Sequence, residues 1–504
     1  MHVLINISPN FFRFAPLIAR RLTELRPDTR ISVIAHGGQT VVEGFRARTS
    51  GLKIEKIHDI SGLEKLWLKI PYRRGSLRKH EITLKANTVN RIMTADRLVG
   101  AGYIRGGEIA TTPLSNYCRT DELRHRYLIG LLDFFYDWFK SNPPDVILSY
   151  GVAGSVTLTM SLMAEHFKIA FRRINAIRLA DRNIIDSSYL NLGTPLKCLY
   201  ARALNDKAVV ADTLDEACKI LSKARKTPQA PDYHAAVRKN VLKLPPIIDL
   251  AALVWRFCSR RPPDSISSPF HLSRLSWEIR RWLRAHWALR IQTYDSWENF
   301  QSSKFVYYPL QFDPEAATMV LAPQATNQLL VLELLSKAIP AEWSLVVKDH
   351  YTMLGRRPAS FYKSLKSIPK VQFLPVTTSS FELIQNSELV VTVTGTAAWE
   401  AMLMGKPALM LGPTHFQNIG EGFVYENNIS ALPDAIERAL KITPVPQHKL
   451  ELYLAVMLKA SFPMSGSVLV DPALPDRVLG AQTEAIEAIA QSLAEINQSQ
   501  QVKQ

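Results

Sequence analysis

The feature that most constrains the fold of this chain is a repeated order of apolar strand, glycine-bearing turn and helix. Near the N-terminus, HVLINIS is followed by the helical spacing of FAPLIARRLTEL and then by the strand RISVIAHGG. Further along, DVILSYG ends in a glycine and precedes the helical VTLTMSLMAEHF. This alternation is typical of a parallel, doubly wound α/β sheet. We therefore predict a Rossmann-like domain over residues 1–205.

The same alternation returns in a clearer form after Lys304. Helical segments there separate five apolar runs that we predict as strands: FVYYPLQF, SLVVKDH, KVQFLP, LVVTVTG and PALMLG. Because 504 residues exceed the usual size of a single core, these runs predict a second Rossmann-like domain over residues 304–445. The predicted fold class is α/β, with two Rossmann-like domains facing a cleft. Residues 446–504 are predicted to form helices and a disordered tail.

A helical, basic, Pro-rich region at residues 206–303 is predicted to join the two domains. Its segment LSRLSWEIRRWLRAHWALRI has an apolar face opposite a basic one. The apolar face consists of Leu275, Ile279, Trp282, Leu283 and Leu289, and the basic face of Arg274, Arg281 and Arg284. A basic amphipathic helix with tryptophans suits the surface of an anionic bilayer. The alternative is a helix that packs on the protein's own core with solvated arginines.

Charge and composition restrict the partners and the compartment. The 61 basic and 45 acidic residues give a formal net charge of +16, which favours polyanionic partners. Nucleic acid is not expected, because no recognised DNA- or RNA-binding motif is present. The start MHVLINISPNFF does not have the pattern of a signal peptide. The four cysteines lack the spacing of a metal or disulfide framework, so we expect a cytoplasmic protein.

Residues 390–412, VVTVTGTAAWEAMLMGKPALMLG, are the clearest candidate for a binding site. A buried strand is predicted to end at Thr394, Gly395 makes the turn, and a helix begins near Thr396. A helix N-terminus offers free amide donors and a partial positive charge, which suit a phosphate. Glu400 is one residue too far from Thr396 for a capping box. Its carboxylate therefore either complements the helix dipole or binds the two hydroxyls of a ribose.

A second candidate follows the strand SLVVK. Lys348 and His350 are two residues apart, so their side chains point the same way on an extended strand. Arg356 and Arg357 follow a short distance on. Together these cations could neutralise a phosphate or a carboxylate, or they form a solvated basic loop.

These segments together resemble the capsule polysaccharide biosynthesis family, which includes retaining β-Kdo transferases of GT-B fold. That family shows a Pro-Glu pair, then a Gln that opens a helix ending in Pro, and then a Lys-acid-His-Pro motif with Gly and Arg beyond it. Gly-Thr, Glu-Ala and Gly-Lys-Pro elements come last. Here the series reads Pro314-Glu315, Gln328 with Pro340, Lys348-Asp349-His350, Gly355-Arg356, Gly395-Thr396, Glu400-Ala401 and Gly405-Lys406-Pro407. One position departs, because Tyr351 replaces the proline after the histidine.

The resemblance implies a glycosyltransferase of hexosyl or Kdo type. Its substrates would be a nucleotide-sugar donor, CMP- or NDP-linked, and a capsular or other surface polysaccharide or glycolipid acceptor at the inner face of the inner membrane. The implied donor-binding residues are Gln328, Lys348, His350, Arg356, Gly395, Thr396 and Glu400. We expect no cofactor and no obligatory metal, since no DxD-type cluster follows a strand and the basic loop and helix N-terminus can stabilise a leaving phosphate.

Glu315, His350 and Asp186 are the predicted catalytic residues, because transfer needs a base or a nucleophile. Asp181 and His36 are alternatives for the same role. Two other functions remain open for this architecture. One is a sugar-nucleotide epimerase, which would act without an acceptor. The other is a non-catalytic polysaccharide assembly or export protein that kept the fold.

Overall fold

The computed structural model describes residues 1–73, 75–97, 99–100, 120–151, 154–179, 181–226, 242–243, 247–259, 271–290, 294–299, 303–471 and 474–496. Within these ranges the strands form two separate sheets, which we call the first sheet and the second sheet. Both consist mainly of parallel strands with helices on their two faces. This arrangement confirms the predicted α/β fold class.

The first sheet is built from the N-terminal strands and one strand from the far end of the chain. Numbered along the chain, these are β1 His2–Ile7, β2 Arg30–Ala35, β3 Ile54–Asp59, β4 Val146–Tyr150, β5 Ala170–Ala176, β6 Arg182–Asp186 and β13 Phe462–Pro463. Their order is β13-β6-β5-β4-β1-β2-β3. The pairs from β3 to β5 are parallel, whereas β6 runs antiparallel to both of its neighbours.

The second sheet is parallel throughout. Its strands are β7 Phe305–Pro309, β8 Ser344–Lys348, β9 Val371–Leu374, β10 Leu389–Thr392, β11 Ala408–Met410 and β12 Phe423–Tyr425. The order is β12-β11-β10-β7-β8-β9, and every pair in it is parallel. The central strands are buried on both faces, which is why their sequences are continuous apolar runs rather than alternating ones.

Helices cover both faces of the first sheet. One face packs against α1 Ala15–Leu25 and α2 Gln39–Arg48. The other packs against α3 Ile60–Trp67, α5 Asn90–Thr94, α6 Asp121–Ser141 and α7 Ser155–His166. Helix α4 Arg78–Thr83 contacts α6 through His80 and Asp133, at 2.8 Å. The crossover helices bury their apolar stripes on the strands, as a parallel sheet requires.

Two further groups of helices cover the second sheet. One face carries α12 Gln328–Ala338, α13 Ala359–Ser367 and α16 Leu432–Leu440. The other face carries α8 Thr194–Asn205, α9 Ala211–Lys226, α14 Ser380–Asn386, α15 Thr396–Leu403 and α17 Gln447–Ala460. Because α8 comes from the N-terminal part and α17 from the C-terminal part, the core on this face joins the two sheets into one body.

The C-terminal segment returns to the first sheet. It contains α18 Ser467–Val470, α19 Asp476–Gly480 and α20 Thr483–Ala494. Strand β13 extends the sheet beside β6, and α20 packs on α1, where Glu487 forms an ion pair with Arg21. Residues 446–504 were predicted as helices and a tail, so β13 is an addition; the predicted disordered tail, residues 497–504, lies outside the described residues.

Three α-helices of the predicted basic region 206–303 are described: α9, which packs on the second sheet, α10 Ile247–Cys258 and α11 His271–Arg290. Helix α11 packs inward through Trp277, Ala285 and Ala288, which are buried. On the face predicted to be apolar, Ile279 and Leu283 are 40% and 54% exposed. The helix therefore contacts the protein through a different face from the one that its leucines suggest. No helix in the described part of the chain combines the length and the apolarity needed to cross a bilayer.

Candidate functional site

The candidate site is built on the carboxyl edge of the second sheet. Strands β7, β8 and β10 end at Pro309, Lys348 and Thr392. Because the three strands are parallel, the loops that follow them emerge along one edge, which is where α/β sheets bind ligands.

A buried glutamine pair supports the loop after β7. Gln328, which is fully buried, accepts a hydrogen bond from the Gln311 backbone N–H at 2.7 Å and donates one to its carbonyl at 3.3 Å. The side chain of Gln311 in turn donates to Thr392 Oγ1 at 2.9 Å. Both polar ends of the Gln328 amide are therefore used by the protein itself. The contacts make Gln328 a support of this loop rather than the donor contact that the motif implied.

A buried ion pair connects the loops after β7 and β8. Arg357 Nε lies 3.3 Å from Asp349 Oδ1, and Arg357 Nη2 donates to the Gln311 carbonyl at 2.7 Å. Tyr362 donates its hydroxyl proton to Asp349 Oδ2 at 2.7 Å. Arg357 and Asp349 are 1% and 3% exposed, and a buried pair is stable only with such supporting hydrogen bonds. Arg357 is therefore engaged within the protein, whereas Arg356 is half-buried and outside this network.

Lys348 and Glu400 belong to one electrostatic group. Lys348 Nζ donates to the Thr378 carbonyl at 2.9 Å and to Ser380 Oγ at the start of α14. Glu400 lies on α15, and its carboxylate makes no hydrogen bond to any described residue. Burial raises the pKa of Glu400 to about 7, and the positive charges of Arg178 and Lys348 partly offset this rise. A carboxylate held beside two cations without a hydrogen-bond donor is suited to bind hydroxyl groups of a ligand.

Helix α15 begins beside this group. Gly395 precedes the first residue, Thr396, and as a glycine it has no side chain to cap the helix. The first amides of α15 thus remain as donors. A Cβ atom on Gly395 would lie 2.6 Å from Thr392 Oγ1 and 3.2 Å from Gln311 Nε2. The glycine is required here because the buried polar groups of the β7 and β10 ends approach its backbone.

His350 follows β8 and begins the short 3₁₀ helix Tyr351–Met353. Its Nδ1 accepts the Thr352 backbone N–H at 3.3 Å, so in the neutral ring Nε2 carries the proton. The ring centre lies 6.3 Å from that of Phe312. Arg356 stacks on the same phenylalanine, with 5.4 Å from its guanidinium carbon to the ring centre. His350 is thus grouped with Arg356 and Phe312 at one side of the edge.

The first sheet contributes an arginine that the sequence analysis did not identify. Arg178 lies in the connection from β5 to β6 and donates from Nη2 to the Thr394 carbonyl at 3.3 Å. Its backbone N–H donates to His415 Nε2 at 3.2 Å, and its carbonyl accepts from Trp399 Nε1 at 3.0 Å. Two side chains of the second half therefore hold Arg178 in place. The signal available was its position, since it follows the carboxyl end of a parallel strand of the first sheet.

Glu315 and Asp313 differ in their surroundings. Asp313 is buried and accepts from Thr318 Oγ1 at 3.0 Å, so it stabilises its own loop. Solvent reaches the Glu315 side chain, but protein atoms around it partly desolvate the carboxylate and raise its pKa. The positive charges of Arg178 and Arg97 lower that pKa in part. Glu315 is therefore the accessible carboxylate of this loop.

Asp186 has no free oxygen. Its Oδ1 accepts from the backbone N–H groups of Gly193 and Thr194 at 2.9 and 3.3 Å, and its Oδ2 accepts from Asn175 Nδ2 at 2.7 Å. The residue is fully buried and holds the start of α8 against the β5–β6 pair. These contacts assign it a structural part rather than the predicted catalytic one.

The two alternative catalytic residues are also engaged within the first half. Asp181 accepts from the Gly466 backbone N–H at 3.2 Å, so it holds the segment after β13. His36 Nε2 lies 2.9 Å from Asn6 Oδ1, and burial lowers the pKa of His36 to about 4.

No three His, Cys, Asp or Glu side chains converge as a metal site within the described ranges. Cys198, Cys218 and Cys258 are free thiols, and Cys118 lies outside those ranges.

One protein family matches part of the chain. Residues 215–441 match the family of capsule polysaccharide biosynthesis proteins. This range contains β7 to β12 and every motif segment described above, so the resemblance noted in the sequence is confirmed over it. A search of curated protein sequences found no match.

Several solved structures align along much of the chain. UDP-GlcNAc 2-epimerase from Neisseria meningitidis, bound to UDP-GlcNAc, is 14% identical over 91% of this chain and 98% of its own, with a TM-score of 0.23. The β-Kdo 2,4 transferase KpsC from Thermosulfurimonas dismutans is 12% identical over 62% and 80%, with a TM-score of 0.33. The β-Kdo 2,7 transferase KpsC of the same organism is 12% identical over 70% and 88%, with a TM-score of 0.30. Similarities of this size carry no conclusion about activity.

Gly355, in the loop after β8, allows a direct test of how α11 is held. It has φ +75°, and a Cβ atom there would lie 2.0 Å from the Arg281 carbonyl oxygen of α11. Gly405 has φ +72° with no atom near its Cβ position. We expect Gly405→Ala to cost about 1–2 kcal/mol for the left-handed backbone alone. Gly355→Ala is expected to cost about 1–3 kcal/mol more, the usual range for overpacking, as measured by urea unfolding. Equal losses would show that α11 does not press on this loop.

The raised pKa of Glu400 predicts a pH-dependent stability. A carboxyl whose pKa rises from 4.5 to about 7 on folding adds stability that is complete below pH 4.5 and lost as the pH rises through 7. Relative to Glu400→Gln, the free energy of unfolding of the native protein should therefore fall by up to about 3 kcal/mol between these pH values. The exposed Glu342→Gln serves as the control in urea unfolding, and parallel pH curves for native and Glu400→Gln would contradict the prediction.

Proposed function

We propose that this protein is a glycosyltransferase that moves a sugar from a nucleotide-activated donor, CMP- or NDP-linked, to a capsular or other surface polysaccharide or glycolipid acceptor. The observation that carries the proposal is the meeting of Glu400, Lys348, Arg178 and Glu315 at the carboxyl edge of the second sheet. The family match over residues 215–441 supports it.

The donor nucleotide would bind between α15 and the loop after β8. Glu400 would accept hydrogen bonds from the two ribose hydroxyls, which replace the donors that the carboxylate lacks in the protein. The donor phosphates would lie near the first amides of α15, the Lys348 ammonium and His350. Helix amides and cations of this kind stabilise phosphate charge.

The transfer step would use Glu315. Its raised pKa makes it a stronger base than an ordinary carboxylate, and its exposure leaves it accessible to an acceptor. Glu315 would take the proton of the acceptor hydroxyl as that oxygen bonds to the anomeric carbon. The bond from the anomeric carbon to the phosphate oxygen then breaks, and the nucleotide leaves with the electron pair. Arg178 and Lys348 would stabilise the leaving phosphate, so we expect activity without an added metal.

The donor-site assignment predicts opposite effects for two groups of variants. Glu400→Gln and His350→Ala should each weaken the thermal protection given by CMP, UDP, GDP or dTDP sugars, because each removes a ligand contact. Glu315→Gln should keep that protection but lower the transfer rate by at least about a hundredfold, the usual contribution of a general base. Protection is measured by thermal unfolding and transfer by release of free nucleotide with acceptor present.

The matched controls are Glu342→Gln and His448→Ala, whose side chains are exposed away from the edge. Unchanged protection in Glu400→Gln and His350→Ala would remove the donor site from this edge. Nucleotide-sugar turnover without an acceptor would favour the epimerase alternative. Binding of donor with no turnover under either condition would favour the non-catalytic assembly or export protein.

We also propose that α10 and α11 place the protein on an anionic membrane surface, at the cytoplasmic face of the inner membrane. The two helices pack on each other and expose large apolar side chains: Ile247, Ile248, Trp255, Phe257, Leu272, Ile279 and Leu283. Exposed arginines lie among them at Arg256, Arg274, Arg280 and Arg290. Exposed apolar area beside basic side chains suits anionic lipid.

Removing two of these apolar side chains should release the protein from vesicles. We expect Ile279→Ser with Leu283→Ser to lower binding to phosphatidylglycerol vesicles in a sedimentation assay by about tenfold, since each buried apolar side chain contributes on the order of 1 kcal/mol or more. Leu330→Ser, a change at a 39% exposed leucine on α12, is the control. Undiminished sedimentation of the double variant would contradict membrane docking through this surface.

A further inference from the structure

Unpaired cations are concentrated in one segment of the first half of the protein. Residues 65–85 contain seven Lys and Arg residues but only one acidic residue, Glu81. Glu81 pairs with Arg78 at 3.2 Å, and Lys79 pairs with Asp133 of α6 at 2.7 Å. Four other cations of the segment are exposed and form no ion pair with any described residue: Lys65, Lys69, Arg73 and Lys85.

Large apolar side chains lie exposed in the same segment. Leu66 on α3 and Ile82 on α4 are 59% and 65% exposed. Tyr72, between the two helices, is 39% exposed and stacks on His125 of α6 with 5.4 Å between the ring centres. We call these three side chains and the four unpaired cations the α3–α4 surface: Lys65, Leu66, Lys69, Tyr72, Arg73, Ile82 and Lys85.

Packing against α6 fixes the orientation of both helices. The Trp67 ring of α3 is buried, and a Cβ atom on Gly130 of α6 would lie 2.4 Å from it. His80 of α4 is also buried, and its Nε2 forms a 2.8 Å hydrogen bond to a carboxylate of α6. Successive side chains of a helix point about 100° apart, so burial of Trp67 and His80 directs Leu66 and Ile82 away from α6. Their exposure is therefore a consequence of tight packing on the opposite face of each helix.

The mixture of side chains on the α3–α4 surface distinguishes one kind of partner from another. A nucleic acid or a soluble acidic polysaccharide would bind the cations but would leave Leu66 and Ile82 in water. An anionic bilayer uses both groups, because lysines and arginines bind its headgroups while aliphatic side chains enter the boundary with the acyl chains. A tyrosine is also typical of that boundary, since its ring is apolar and its hydroxyl is polar.

We propose that the α3–α4 surface binds an anionic lipid bilayer. The contact lies on the first half of the protein, whereas α11 packs on the loop after β8 in the second half. It requires neither the membrane contact proposed for α10 and α11 nor the proposed transfer of a sugar. Binding here would hold the first sheet at the lipid surface through α3, α4 and α6.

The first experiment measures sedimentation with vesicles of phosphatidylglycerol and phosphatidylcholine, without any nucleotide. Leu66→Ser with Ile82→Ser should lower the affinity about tenfold, because two apolar side chains no longer leave water. Lys65→Gln, Lys69→Gln and Lys85→Gln together should lower it about fivefold for each charge removed, and added salt should weaken this dependence. Both variants are made in the native protein and in the Ile279→Ser, Leu283→Ser protein, so that α11 cannot mask the effect.

Each variant has a control matched in number and chemistry. Leu204→Ser with Leu330→Ser removes two leucines that are 50% and 39% exposed on α8 and α12. The charge control replaces three lysines by glutamine, each exposed and without an ion pair to a described residue: Lys219, Lys337 and Lys363. Because it changes the net charge by the same amount, it separates local binding from the overall charge of the protein. Both controls should sediment like the protein from which they were made.

The second experiment uses the native protein, so it does not depend on whether a variant folds. Hydrogen exchange is compared with and without the same vesicles. The amides of α3 and α4 should exchange more slowly when lipid is present, because a bound bilayer limits the access of water and the opening of the helices. Those of α13, on the second sheet, should be unchanged.

Three outcomes would overturn the proposal. The first is variants of the α3–α4 surface that sediment like their controls, with unchanged exchange in α3 and α4. The second is dependence on the lysines alone, which would assign the surface to a soluble polyanion. The third is dependence on Leu66 and Ile82 alone, which would remove the requirement for anionic lipid. Failure of the α11 contact has a different signature, since Ile279→Ser with Leu283→Ser would then sediment normally while the α3–α4 variants still lose affinity.

Discussion

The site depends on a small buried network of polar side chains. Gln328 and Arg357 both bind the backbone of Gln311, and Asp349 holds Arg357 from the other side. Because each of these groups would be costly to bury alone, the loops after β7 and β8 can adopt only positions that satisfy all of them together. The network therefore positions the other side chains of these loops, which include Glu315, His350 and Arg356.

Hydrogen bonds and a shared apolar core also connect the two sheets. The Arg178 backbone lies between His415 and Trp399, and the core on the α15 side of the second sheet continues through α8 and α17. A site formed from both halves therefore exists without a large rearrangement. The charged groups that meet there, Arg178 and Glu400, are brought together by hydrogen bonds to main-chain atoms and by apolar packing.

Sequence reasoning identified the elements better than it identified the roles of residues. The repeated order of strand, glycine turn and helix can be read from neighbouring residues alone. It therefore predicted both sheets and the carboxyl edge of the second sheet, where the candidate site lies. Whether a polar residue meets a ligand depends on the loops that pack around it: Gln328 accepts the backbone N–H of Gln311, and Asp186, in the first sheet, accepts that of Gly193. Arg97 and Arg178 carry no motif at all. The sequence pattern left open whether the leucine-bearing face of α11 meets lipid or the protein, and the structure packs the helix through Trp277, Ala285 and Ala288 instead.

The return of the C-terminal segment to the first sheet has a consequence for synthesis on the ribosome. Strand β13 and helix α20 complete a sheet whose other strands are made first, and they cover apolar side chains of α1. Until β13 and α20 have emerged, the nascent chain exposes that surface and an unpaired edge at β6. Such surfaces favour aggregation and chaperone binding. The first sheet therefore reaches its final form only after the whole second sheet has been synthesised.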